Sequence, residues 1–158
     1  MPTAIAAGDP DRNGAHVYTG VRFGRNRARA QINRPRKLMT KLNLDGKTFR
    51  SLANTPNGDV GAETLFHYHQ SGNIVSAEYS GGAIVTGHLL AVIDGDGRLD
   101  MRYHHLNDQG ELMVGRCVSI PTAMPDGRLR YHETWQWLTG DQSSGQSTIE
   151  EVAVQNAG

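Results

Sequence analysis

The side chains with chemistry to offer in this chain are seven histidines, one cysteine and a scatter of carboxylates and arginines. Histidine can move a proton near neutral pH, a carboxyl can do so when burial raises its pKa, and paired histidines can hold a metal. The spacing that invites the metal reading is Gly61, five residues, then His67-Tyr68-His69, since an HxH pair on a strand sends both imidazoles to one side. The acidic ligand such a motif needs four or five positions later is absent, and Glu78 lies too far along. No metal and no other cofactor is therefore expected. In Asp94-Gly95-Asp96-Gly97-Arg98, Arg98 stands where a calcium loop needs a third oxygen ligand. The segment 142–147 has the small polar residues of an acetyl-CoA pyrophosphate loop but runs into strand-like residues 148–154, not into the helix whose N-terminus would bind the phosphates. Cys117 has no histidine near it in sequence, and Ser119 lacks the context of a nucleophile elbow.

Six other residues, His88, Tyr103, His105, Arg116, Tyr131 and Glu133, become site candidates only through the elements that would carry them. Turn dipeptides recur from Asp45-Gly46 through Asn57-Gly58, Ser71-Gly72, Gly81-Gly82, Asp96-Gly97, Gln109-Gly110 and Asp126-Gly127 to Ser144-Gly145. The stretches between are short and rich in Val, Ile, Thr, Tyr and Trp, the pattern of successive antiparallel hairpins. Strands are predicted over 38–44, 47–55, 62–70, 73–79, 83–93, 98–106, 111–119, 128–138 and 146–154, with no long helical period anywhere. Eight or nine strands in an up-and-down meander leave two open edges unless the sheet closes, so the expected fold is all-β, a small calycin-like barrel. Such a barrel has room for side chains or one small ligand.

Hairpin geometry selects an inner face. Two-residue turns at Gln109-Gly110 and in the Asp94 to Gly97 loop put Tyr103 and His105 inside, together with Arg116 on the next strand and His88 on the one before. A two-residue turn at Ser71-Gly72 unites Phe66 and Tyr68 with Val75 and Ala77, and leaves His67 and His69 outside. Cys117, of opposite parity to Arg116, reads as an ordinary half-buried cysteine. On 128–138 the apolar parity is Leu129, Tyr131, Glu133, Trp135 and Trp137. The polar members of this otherwise apolar face form the expected ligand-binding set. Arg116 and Glu133, on consecutive strands, are in position to pair, either as a structural bridge or to orient a polar group, and Glu133 and His88 are the catalytic candidates if the barrel is an enzyme.

Composition bounds the rest. A chain of 158 residues, 37% hydrophobic and with a single cysteine, fits one domain and allows no intrachain disulfide, which makes a reducing cytoplasm the simplest setting. Residues 1–14 lack a basic region followed by an apolar block, so no signal peptide is expected, and no apolar run reaches membrane length, so no membrane partner is expected. Residues 1–37 carry eight basic groups against Asp9 and Asp11, while the remainder carries eight against fourteen acidic groups. The basic stretch has no period and few large apolar residues, so 1–38 is expected to be a disordered extension and 39–158 a single barrel domain. Spaced arginines can neutralise phosphates, but with Phe23 as the only aromatic residue among them and no nucleic-acid motif following, nucleic acid is not an expected partner.

The segments Phe66-His67-Tyr68-His69-Gln70, Tyr79-Ser80-Gly81-Gly82, Leu99 to His104, Pro125-Asp126-Gly127-Arg128 and His132-Glu133-Thr134-Trp135-Gln136-Trp137 carry a resemblance. Across 66–152 the chain resembles a family of small bacterial proteins carried under the label N-acetylglutamate synthase. The resemblance implies a small β-barrel and carries over no catalytic residues, and the label's acetyl-transfer chemistry lacks its helix-bearing cofactor loop here. The expected function is binding of a small, partly apolar molecule inside the barrel. A cyclase or isomerase on the same scaffold and a solidly packed interaction module are the alternatives, and oligomeric state is left open.

Overall fold

The computed structural model of the protein describes residues 42–154. The basic extension expected over 1–38 lies outside the described residues. Eight strands follow one another: β1 Thr48–Asn54, β2 Leu65–Ser71, β3 Ile74–Gly81, β4 Ile84–Ile93, β5 Leu99–Asn107, β6 Leu112–Ala123, β7 Leu129–Trp137 and β8 Ser144–Glu151. Each pairs antiparallel with the next, and β8 pairs with β1, so the meander closes into a barrel with no free edge. The strand expected over 38–44 has no counterpart at 42–44. Instead Leu44 is wholly buried, with its amide donating to Gln70 Oε1 at 2.8 Å, and Leu42 lies beside Gly97.

Alternation drives the packing. On β2 and β3, Phe66, Tyr68, Val75, Ala77 and Tyr79 are buried while His67, His69 and Glu78 face outward, as a half-buried strand requires. The β2–β3 turn falls at Gly72-Asn73, one residue later than expected, which moves each partner by two positions and preserves the inner face. At the lower end, where residues 42–47 meet the barrel, Phe49 packs on Tyr68 and Tyr131 with ring centroids 5.0 and 5.8 Å away, and the Tyr131 hydroxyl donates to the Gly97 carbonyl at 3.0 Å. These rings, with Leu44, Leu99 and Ile149, close that end.

Two strands present the opposite face from the one expected. The β4–β5 and β5–β6 loops hold three residues, not two: Ile93 pairs with Leu99 and then Asp94 with Arg98, and Asn107 pairs with Glu111. In both, the first residue is an Asx side chain accepting two backbone amides (Asp94 from Asp96 and Arg98, Asn107 from Gln109 and Glu111), and the last loop residue is a glycine at φ 79° or 78°. This is a type I turn followed by a left-handed glycine, the three-residue hairpin loop. One extra residue inverts a whole strand. Gly87, Leu89, Ala91 and Ile93 therefore face inward on β4, and Gly115, Cys117 and Ser119 on β6.

The β7–β8 seam is clamped from outside the core by Glu150, which accepts from Arg128 Nη1 and Arg130 Nη2, both at 2.8 Å. Arg130, aided by Arg128, holds its carboxyl below the ordinary carboxylate value. A depressed folded pKa contributes stability that is complete above the unfolded value and disappears as pH falls through the folded one. Acid titration followed by circular dichroism should therefore show Glu150→Gln with a flatter loss of stability below about pH 4.5 than the parent chain.

Candidate functional site

Opposite the closed end, the barrel opens into a cleft lined by Asn54, Asp59, Phe66, Tyr79, Tyr103, His105, Cys117, Glu133, Trp135, Trp137 and Ser147, among others. The inner space that water can occupy is about 50 Å³, small beside the roughly 300–1,000 Å³ of typical ligand pockets. This space still exceeds the roughly 10–15 Å³ a cavity needs to hold one water, so it admits only a few waters. The cleft is thus a narrow slot, in which a ligand would touch both walls.

The apolar wall is aromatic. Trp135 and Trp137, adjacent inward positions on β7, lie with ring centroids 5.4 Å apart, and Tyr103 and His105 meet Trp137 edge-on at 5.8 and 5.6 Å. Both indole N–H groups are already used, Trp135 donating to Asn54 Oδ1 at 3.1 Å and Trp137 to the Asn57 carbonyl at 3.0 Å, so these rings offer faces and not donors. Three strand glycines make space for the rings: a side chain at Gly87 would meet Tyr79, at Gly115 Tyr103, and at Gly145 Trp135. Gly115→Ala should overpack Tyr103 and cost about 1–3 kcal/mol, measured by urea denaturation, with a change in the near-ultraviolet dichroism of the cleft aromatics.

Two polar constellations face the slot. Glu133, half-buried, accepts from Ser119 Oγ at 3.0 Å and from Ser147 Oγ at 2.6 Å. Protein packs densely around the carboxyl even though the cleft leaves part of the residue open, and desolvation raises its pKa against the pull of the two serines. On the facing strands His105, almost fully buried, links the Tyr79 hydroxyl at Nδ1, 3.0 Å, to Asp59 Oδ2 at Nε2, 2.9 Å. Asn107 donates to the same Asp59 oxygen at 3.3 Å, so the loop 55–64 is tied to β5. Burial pushes the Cys117 thiol and the Tyr79, Tyr103 and Tyr131 hydroxyls up, which keeps all four protonated near neutral pH.

The expected site residues divide accordingly. Tyr103, His105 and Glu133 meet in the cleft. Tyr131 points inward but sits at the closed end with its hydroxyl committed to Gly97. His88 and Arg116 are corrected: both face outward because of the three-residue loops, His88 lying opposite His104 and Arg116 donating to Gln136 Oε1 at 2.7 Å. The pairing of Arg116 with Glu133 does not form, and Ser119 takes Arg116's expected place on the inner face, directly opposite Glu133. Outside, His67 hydrogen-bonds Thr48 and His69 hydrogen-bonds Glu78. Among the described residues, no group of three His, Cys, Asp or Glu side chains is arranged to hold a metal ion. Asp59, Ser119, Ser147, Cys117 and Asn54 were not anticipated. Asp59 lies in a loop with no period, whereas the β6 pair was recoverable from Asn107 and Gly110 as markers of the longer turn.

A closed eight-stranded antiparallel meander with a polar-dotted aromatic cleft at one end is a calycin-type barrel. The family model described as avidin-like protein matches residues 42–152, the whole barrel, and the chain belongs to the avidin-like family. Barrels of this family bind small molecules. No curated protein matches the chain.

Proposed function

We propose that this protein binds a small, partly apolar molecule in the open end of its barrel. The observation that carries the reading is the cleft itself, in which the Trp135 and Trp137 faces, the Tyr103 ring and the buried Glu133 carboxyl converge on an interior space that side chains leave unfilled. A solidly packed interaction module would have no use for that space, and family members binding small ligands such as biotin support the same conclusion. A cyclase or isomerase has less support. His88 is outside, both His105 nitrogens are engaged, and Cys117 is held as a thiol, so the Glu133 carboxyl and the Asp59 carboxyl, itself hydrogen-bonded to His105 and Asn107, are what remain to move a proton on the slot.

The test is native mass spectrometry of protein purified from its own host, paired with titration of its tryptophan fluorescence by the host's small-molecule extract. The chain has two tryptophans and both line the cleft, so a bound molecule should change their emission. A bare-chain mass together with unchanged emission would sink the reading.

A further inference from the structure

Among the described residues no lysine or arginine lines the cleft, although seven of them lie in the barrel. Its carboxyl groups are Asp59 and Glu133, and its only basic side chain, His105, spends one ring nitrogen on Tyr79 and the other on Asp59. Around them stand five aromatic rings, those of Phe66, Tyr79, Tyr103, Trp135 and Trp137. Aromatic faces carry negative charge density and attract cations, most strongly where water is excluded. An anion entering this slot would meet ring faces and carboxyl groups, with no lysine or arginine of the described residues to receive it. A neutral ligand would gain from burial alone.

We propose that the cleft is a site for a small organic cation, a primary amine or ammonium whose apolar body lies between the tryptophan and tyrosine walls and whose charge lies against Glu133. This assigns a ligand class to the binding function inferred above and rests on it. The two serines opposite Glu133 give its oxygens hydrogen-bond donors but no countercharge, and among the described residues no lysine or arginine on any wall supplies one. Ser119 and Cys117 face it from β6, Ser147 from β8, Tyr79 from β3, and Tyr103 and His105 from β5, with Asp59 on the loop 55–64. Tyr68, on β2, contributes a buried hydroxyl that has no hydrogen-bond partner among the described residues. A ligand cation supplies the missing charge.

Linkage follows. In the empty cleft burial favours the protonated Glu133, and a cation beside it favours the carboxylate, so binding expels a proton. Affinity for a cation of fixed charge should therefore rise with pH, by up to about tenfold per unit, until Glu133 ionises without the ligand's help.

Three probes of one shape test this by tryptophan fluorescence: benzylammonium, benzyl alcohol and benzoate. The expected order is benzylammonium at least about tenfold tighter than benzyl alcohol, with benzoate weakest. Benzylammonium affinity should climb from pH 5 to pH 8, and Glu133→Gln should remove both the preference for benzylammonium over benzyl alcohol and the pH dependence. Benzyl alcohol binding as tightly as benzylammonium, benzoate binding tightest, or a pH-independent benzylammonium affinity would overturn the cation proposal and leave the ligand cleft standing. Silence from all three probes, combined with a bare-chain mass from the host, would overturn the ligand cleft and the cation proposal together.

Discussion

Glu133→Gln is expected to stabilise the barrel at neutral and alkaline pH and to leave its stability nearly unchanged in acid. Gln keeps the shape, its Oε1 accepting from one of the two serines and its Nε2 donating to the hydroxyl oxygen of the other, and it carries no charge to desolvate. Because Glu133 has a folded pKa above its unfolded value, the folded state holds the proton over a pH range where the unfolded state has released it. Its contribution to stability is therefore greatest below the unfolded carboxylate value and shrinks as pH rises toward the folded one. The advantage of the Gln variant should grow from about pH 4.5 upward at no more than about 1.4 kcal/mol per pH unit, then level off once the folded carboxyl ionises. Urea midpoints measured at unit intervals of pH would show it. A variant less stable than the parent at pH 8 would mean that the carboxylate is favoured in the fold, contrary to its surroundings.

Phe49→Ala is expected to cost about 3–5 kcal/mol, a large share of the roughly 5–15 kcal/mol by which a domain of this kind is stable. Phe49 is fully buried and packs against Tyr68 and Tyr131 on two other strands, so it joins β1, β2 and β7 at the closed end. Two tyrosines whose backbones are fixed in the sheet cannot collapse into the space left behind, which places the change at the costly end for its type. Equilibrium denaturation should show the loss with little change in slope. A cost below about 1 kcal/mol would mean that the closed end repacks freely, unlike a close-packed core.

Most of the barrel was legible because its strands alternate cleanly. Phe66 and Tyr68 against His67 and His69, and Tyr131, Glu133, Trp135 and Trp137 against their polar neighbours, fix the faces of β2 and β7 whatever the turns do. On β4 and β6 the two parities are more evenly matched. There Val85, Leu90, Val92, Leu112 and Val114 are apolar yet exposed, and the inward positions include Gly87, Gly115 and Ser119, so composition cannot arbitrate. The loops decide, and a three-residue loop differs from a two-residue one by a single glycine in the left-handed region. That difference brought Arg116 and His88 inside on paper and hid the serine opposite Glu133. The site divides along the same line: Tyr103, His105 and Glu133 were legible from strand period, while Asp59 depends on a loop fold that no period encodes.

The loops at the two ends of the barrel also bear on how its specificity could be altered. At the closed end the strands are joined by the short turns at 72–73, 94–98 and 124–128, which set the register. At the mouth, 55–64 and 138–143 are longer, and Asn57 joins them, donating to Ser143 Oγ and to the Ser144 carbonyl while its own carbonyl receives the Trp137 indole. Together these two loops form a cassette. Grafting a new recognition surface onto this scaffold calls for exchanging them as a pair, since replacing either alone would unseat the tryptophan wall that the other helps to hold.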